Sequence, residues 1–310
     1  MIEVKMPTDE FGYTGRECPN DTCKGYFKII FGTGLKGVTD CHCPYCGHTA
    51  DQSQFHTPDQ IEYAHSVVTR KVFDAVEKDF KSMEFDIKPK GPFGIGISMK
   101  VQSSPPHPLH HYREKDLETH IECPNCTLKY AVYGVFAFCA DCGQHNSLQI
   151  LSDNLRVIEK MLDMALKSTD KIASKLVENA LEDCVSSFDG FGRELCKIHA
   201  EKSSNSSRAE DMSFQNLGGA KQNLINLFDF TISDGLSDDE WKTAVRCFQK
   251  RHLINHKMGV VDNEYIQKTG DTTSIVGRKI IITEEEVREL IDIVEKIAQY
   301  TSEQFDQKNR

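Results

Sequence analysis

The sequence has one tryptophan in 310 residues, no apolar run long enough to cross a membrane, and no excess of positive charge. Each shortage excludes something. A membrane-spanning helix needs about 20 consecutive apolar residues, so none is expected. The opening residues, Met1-Ile2-Glu3-Val4-Lys5, lack the apolar stretch of a secretion signal. The formal net charge is −10. Neither half is basic: residues 1–150 carry 15 Lys and Arg against 19 Asp and Glu, and residues 151–310 carry 22 against 28. A broad, unspecific grip on duplex phosphates is therefore excluded, and any nucleic acid must be held by a local patch. The remaining composition, 39% hydrophobic and 27% charged, is that of a soluble folded chain long enough for two or three domains.

Cysteine is present in number, with 12 residues, and eight of them fall into a pattern. Cys18-x4-Cys23 is followed by Cys43-Pro-Tyr-Cys46-Gly47; Cys123-Pro-Asn-Cys126 is followed by Cys139-Ala-Asp-Cys142-Gly143. Two tight turns bring four thiolates into a tetrahedral cage, the coordination that suits Zn²⁺. The glycine after each second turn supplies the permissive backbone the turn needs. Two such sets predict two zinc ribbons and two structural Zn²⁺ ions per chain. The alternative is free core cysteines or disulfides. Cys41 is a spare thiol beside Cys43, but Cys43-Pro-Tyr-Cys46 is the better turn. Cys184, Cys196 and Cys247 lie on helical patterns, which fits a reducing compartment, and a cytoplasmic protein is expected.

The first ribbon is expected at 1–56, with a strand at 26–31. A connecting region at 57–116 follows. Its helix starts with Thr57 as N-cap, Pro58 in the first turn and Gln60 closing a capping box. Ile61, Ala64, Val68, Val72, Ala75 and Val76 form its expected inward stripe, and a strand follows at 95–101. The second ribbon is expected at 117–150, with strands at 129–133 and 135–138. From 151 the texture turns helical. Leu155, Ile158, Leu162, Leu166, Ile172, Leu176, Ala180, Cys184 and Phe188 trace one stripe, broken near Ser168-Thr169-Asp170 and ended by Gly190 and Gly192. Residues 201–219 are expected as a loop, and 219–230 as a short helix. Ser237 with Glu240, and Thr283 with Glu286, form capping boxes for two further helices. Residues 258–282 between them are expected to be irregular, with a strand at 279–282. The last helix has Val287, Leu290, Ile291, Val294, Ile297, Ala298 and Phe305 on one face. The fold class is α+β and multidomain: two small β zinc ribbons with a connecting helix, then an all-α bundle at 151–310.

The helix that starts at Ser237 ends Lys250-Arg251-His252-Leu253-Ile254-Asn255-His256-Lys257. On a wheel of ~100° per residue centred on Trp241, His252 falls about 20° from the centre of the apolar face, His256 about 60°, and Arg251 about 80° to the other side. Polar groups on such a face are costly without partners, so it must open onto a cleft or an interface.

The string Arg251-x4-His256 near the end of a bundle helix, followed by Gly259-Val260-Val261-Asp262, resembles the signature of the HEPN superfamily. These are helical-bundle proteins, many of them ribonucleases of defence, toxin and RNA-processing systems. The resemblance covers 151–310 in layout, and its specific part is 246–265. It implies a metal-independent RNA endonuclease that leaves 2′,3′-cyclic phosphate ends. His256 would be general acid or base, Arg251 would hold the phosphate, His252 would be a further polar group, and Asn255 would orient substrate. Arg251 and His256 lie about 140° apart on an ideal helix, so a homodimer is expected to complete the site. Arg246-x5-His252 is an alternative register. Asp183 and Asp189 could hydrogen-bond the catalytic groups. His107, His110, His111 and His120 are read as surface residues. The ribbons would recognise RNA, a phage component or a partner protein, and Tyr26, Phe27, Tyr45, Tyr130 and Tyr133 could stack on bases. The other functional class is a non-catalytic zinc-ribbon adaptor with a dimerising helical domain.

Overall fold

Strands of three or four residues cannot bury an apolar face alone, and the first part of the chain overcomes this by sharing. The computed structural model describes residues 3–35, 37, 39–87 and 97–307. The chain divides into two compact units, Met1–His145 and Asn146–Arg310.

In the first unit, β1 (Thr14–Glu17) and β2 (Tyr26–Ile29) form an antiparallel hairpin with Thr14 opposite Ile29. β3 (Asp40–His42) and β4 (Thr49–Asp51) form a second. After α1 (Pro58–Ser82) come a small pair, β5 (Phe85–Ile87) and β6 (Ile97–Met99), and a hairpin of β7 (Thr119–Glu122) and β8 (Lys129–Val132). Residues 95 and 96 of the expected strand lie outside the described residues. β2 pairs with β8, Lys28 opposite Ala131, giving one sheet of order β1-β2-β8-β7. The two cysteine regions, expected as separate ribbons, thus share a sheet and one apolar cluster containing Phe27, Ile29, Phe55, Leu128, Tyr130 and Val132. The strand expected at 135–138 is absent; Phe138 makes a single bridge, to His145.

α1 starts at the expected capping box. Its inward face is not the expected one. Ile61, Val72 and Val76 are 46%, 46% and 45% exposed, whereas Gln60 and Ser66 are buried. The helix is anchored by polar contacts: Gln60 Nε2 donates to the Gly15 carbonyl at 2.8 Å, and the Ser66 hydroxyl accepts the His110 amide at 3.0 Å.

The second unit consists of α2 (Ser147–Ala165), α3 (Asp170–Ile198), α4 (Ser206–Glu210), α5 (Leu217–Phe228), α6 (Asp238–Lys257), α7 (Asn263–Thr269) and α8 (Glu284–Gln307), joined by turns and one-turn 3₁₀ segments. α8 lies against α2, α3 and α6 around a core of Leu155, Ile158, Leu162, Leu181, Phe188, Phe248, Leu290 and Val294. The break falls between α2 and α3 as expected, and the flanking Leu166 and Ile172 are exposed instead of joining the stripe. Gly190 and Gly192 do not end α3. A Cβ on Gly192 would come within 2.5 Å of the Phe214 ring, so glycine is there to let that ring lie against the helix. Residues 201–219 hold α4 and the start of α5, and the irregular 258–282 holds α7. The strand expected at 279–282 reduces to one bridge, Val260 to Lys279. Among the described residues no helix is long and apolar enough to cross a membrane.

Candidate functional site

The first pair of each cysteine set sits at a strand turn, and the second pair at a following turn. Cys18 Sγ lies 3.7 Å from Cys46 Sγ and Cys23 Sγ 3.7 Å from Cys43 Sγ. In the other set Cys123 to Cys142 is 3.6 Å and Cys126 to Cys139 is 3.5 Å. All four sulfurs of each set lie within 4.8 Å of one another, and none is in a disulfide. Four sulfurs at about 2.3 Å from a tetrahedral Zn²⁺ stand about 3.8 Å apart, so both donor sets fit that ion. Burial pushes the Cys18 and Cys126 thiols up to about 11 and those of Cys43 and Cys139 higher still. These four buried thiols would therefore lose their protons to the cation that binds them, whereas at Cys46 and Cys142 hydrogen bonds outweigh burial and lower the thiol pKa. Cys41 is outside the cage, a core residue whose thiol burial raises to about 12. The two cages are joined back to back: the His42 amide donates to the Ala140 carbonyl and the Phe138 amide to the Pro44 carbonyl, both at 2.8 Å.

The aromatics near the cages are mostly spent on packing. Tyr26, Phe27 and Tyr130 are buried. Tyr45 donates to the Tyr26 carbonyl and accepts the Tyr133 amide. Of the five, Tyr133 alone is exposed, at 43%. The four loop histidines do not form one cluster. His110 lies 3.3 Å from both Asp59 and Glu62, His107 stacks on Phe73, and His120 packs on Tyr13.

α6 begins with the expected box, Glu240 Oε2 accepting the Ser237 amide at 2.8 Å. Its buried face is Thr243, Ala244, Cys247, Phe248 and Arg251. Trp241 is only half-buried, beneath the Lys221 ammonium at 5.1 Å. A wheel centred on that tryptophan therefore misplaces the last turns. Arg251 is 7% exposed, His252 is half-buried and His256 is exposed. Left-handed Met258 (φ 55°) and Gly259 then stop the helix, the Gly259 amide closing on the Leu253 carbonyl. Leu253, Val261, Tyr265 and Ile280 form a small core beneath this end, and Asp262 caps α7 while pairing with Lys257.

The structure brings the two imidazoles together, His252 and His256 with ring centroids 4.8 Å apart. Burial, with His256, Lys257 and Lys268 beside it adding, lowers the His252 pKa below the usual imidazole value. Asn255 donates to Glu182 Oε1 of α3 at 2.9 Å. Arg251 points elsewhere. Its Nη1 donates to Gln215 Oε1 at 3.3 Å, its Nε is buried without a partner, and among the described residues no carboxylate pairs with it. Arg246, the alternative register, has Glu286 Oε1 3.8 Å from its Nε. Asp189 reaches Arg251 indirectly, accepting Gln215 Nε2 at 3.3 Å; Asp183, whose carboxyl burial raises, makes no hydrogen bond to the α6 residues. Gln215 and Glu182 had no signal in the sequence: one lies in a polar loop and the other on an ordinary charged helix position.

No protein-family model, curated protein or solved structure is significantly similar to this chain.

Proposed function

We propose that the chain is a metal-independent endoribonuclease of the HEPN kind, working as a homodimer, with a structural Zn²⁺ in each thiol cage. The observation that carries this is a buried arginine without a carboxylate partner, on the same helix end as a close pair of imidazoles. Arg251 would neutralise the charge developing on a scissile phosphate. His256, exposed at the helix end, would exchange the proton of the attacking 2′-hydroxyl or of the leaving oxygen. His252 and Asn255 would orient the substrate. Arg251 and His256 point to different sides of α6, so a second copy facing the first would complete the set. The role would be of the toxin or antiviral-defence type, with the cage unit recognising RNA, a phage component or a partner protein in the cytoplasm.

The test is cleavage of total cellular RNA by the full chain. Products are expected to end in 2′,3′-cyclic phosphate, and DNA is expected to stay intact because it lacks the 2′-hydroxyl. His256→Ala and Arg251→Ala should each abolish cutting, and the double variant should lose no more than either, since the two act on one phosphate. Activity retained by His256→Ala would sink the mechanism. The burial of Arg251, at 7% exposure, favours a second reading: a zinc-cage adaptor whose helical unit only binds and dimerises. Wild-type protein that dimerises but cuts no RNA would select it.

A further inference from the structure

Lys250 and Arg251 are adjacent buried cations on α6, and the fold treats them differently. Lys250 is neutralised directly, its ammonium lying 2.7 and 2.8 Å from the two carboxylate oxygens of Glu286. Arg251 is met by a neutral amide, Gln215 Oε1 at 3.3 Å, and the nearest carboxylate in that chain of contacts, Asp189, stands behind the amide. A buried charge without a counter-ion is costly, and a carboxylate at position 215 would be the cheap remedy. The sequence has glutamine there.

Asp189 dictates which way that amide faces. Its carboxylate is 6% exposed, stands 3.9 Å from the Arg193 guanidinium, and is the acceptor in each of its hydrogen bonds. Oδ1 takes the Phe214 amide at 2.5 Å and the Ser213 hydroxyl at 3.1 Å; Oδ2 takes Gln215 Nε2. Gln215 must therefore turn its nitrogen to Asp189 and its carbonyl to Arg251. Of the guanidinium's five N–H donors, one is used by Gln215, and Nε has no partner.

We propose that Asp189 and Gln215 are a positioning pair that fixes Arg251 through a neutral acceptor and leaves its charge unpaired for an oxyanion of the phosphate class. This rests on the reading of Arg251 as the anion-holding residue. The pair aims the fork without neutralising it, as a guanidinium that must grip a phosphate requires.

The experiment uses the full chain and inorganic phosphate, read as the phosphate-dependent rise in Tm of the helical unit at constant ionic strength. Wild type should show the rise and Arg251→Gln should not. Asp189→Asn presents a donor to Gln215, flips its amide and turns an N–H toward Arg251, so phosphate affinity should fall about tenfold or more. Asp189→Asn combined with Gln215→Glu restores both hydrogen bonds but neutralises the cation. It should fold as well as wild type and still lose the phosphate response. A merely structural pair would be rescued by that double variant, and such a rescue would overturn the proposal. Gln215→Ala, at an exposed position that leaves the Asp189 loop bonds in place, covers the case in which Asp189→Asn fails to fold; it should also weaken phosphate binding, and wild-type affinity there would equally overturn it. Equal phosphate responses in wild type and Arg251→Gln overturn it as well. If wild type binds phosphate through Arg251 but cuts no RNA, the ribonuclease reading falls and the pair stands.

Discussion

The strands of residues 1–145 are three or four residues long, whereas α2, α3, α6 and α8 run for 19, 29, 20 and 24 residues. The apolar cluster of the first unit counts Cys18, Cys43, Cys123, Cys126 and Cys139 among its buried members; that of the second is mainly Leu, Ile, Val and Phe. In one unit the buried interior includes the two sets of cysteines that could hold metal, and in the other no such set lies among the described residues. The first should therefore depend on its ions and the second should not. Within the first unit the cages are near copies of one another. Lys24 and Thr127 take the left-handed conformation after the first cysteine pair, and Gly47 and Gly143 after the second. His42 and Phe138 each donate across to the residue following the other cage's third cysteine.

The largest effect expected is metal removal. Zinc analysis should find two ions per chain. Stripping both with a strong chelator should unfold residues 1–145 and leave the helical transition in place, since each structural site of this kind contributes about 10 kcal/mol or more. Cys139→Ser sharpens the contrast. It should release its own ion and also weaken the first cage, because the Phe138–Pro44 and His42–Ala140 bonds and the shared β2–β8 ladder join the two. Two cages that lose metal independently, or a first unit that resists protease after full chelation, would break the comparison.

The sequence exposed local chemistry better than long-range contact. The three capping boxes are self-contained four-residue signals, and Thr57–Gln60, Ser237–Glu240 and Thr283–Glu286 all form. The eight cage cysteines are legible because turn spacing fixes them, and the face of α8 because its period is unbroken. The β2–β8 pairing joins residues a hundred positions apart, which no local pattern reports. Along α1 periodicity misleads, since Gln60 and Ser66 are buried for their hydrogen bonds while apolar neighbours face water. At the end of α6 the error was one of phase. The inward face centres on Ala244, Phe248 and Arg251 rather than on the half-exposed Trp241, so Arg251 lies deeper and His256 further out than the wheel places them, and no local pattern reports the contact with Gln215.

The next effect belongs to the packed unit. Gly192→Ala would drive a methyl group to 2.5 Å from the Phe214 ring. Phe214 is 1% exposed and held edge-on against Phe188 at 5.6 Å between centroids, so it has little room to give. A loss of about 1–3 kcal/mol is expected, visible as a lower Tm of the helical transition with zinc content unchanged. Gly190→Ala, two residues earlier, meets nothing within 4 Å and should instead stabilise α3 by roughly 0.5–1 kcal/mol. Effects of opposite sign at these two glycines would separate close approach from helix propensity; effects of the same sign and size would show that Phe214 does not decide the matter.

The smallest effect concerns acid. His199 ends α3 with its ring stacked on Phe305 of α8, centroids 4.6 Å apart. Burial, with Lys202 adding, lowers its pKa from the ordinary 6.5 to about 4. Above pH 6.5 the ring is neutral in the folded and unfolded chain alike, and its contribution to stability is whole. As pH falls from 6.5 toward 4 the unfolded chain takes up a proton that the folded chain refuses, so the helical unit should lose stability through that window. The ring is only half-buried, which keeps the loss modest. His199→Phe keeps the stack and removes the titration, so its helical transition should vary less with pH between 4 and 6.5 than that of wild type. Protons also compete with metal for the cage thiolates over a similar range, so the readout must be the helical transition alone, followed by calorimetry in protein whose first unit has already been unfolded by chelation. Identical pH profiles for wild type and His199→Phe would show that the acid sensitivity of the packed unit lies elsewhere than in this ring.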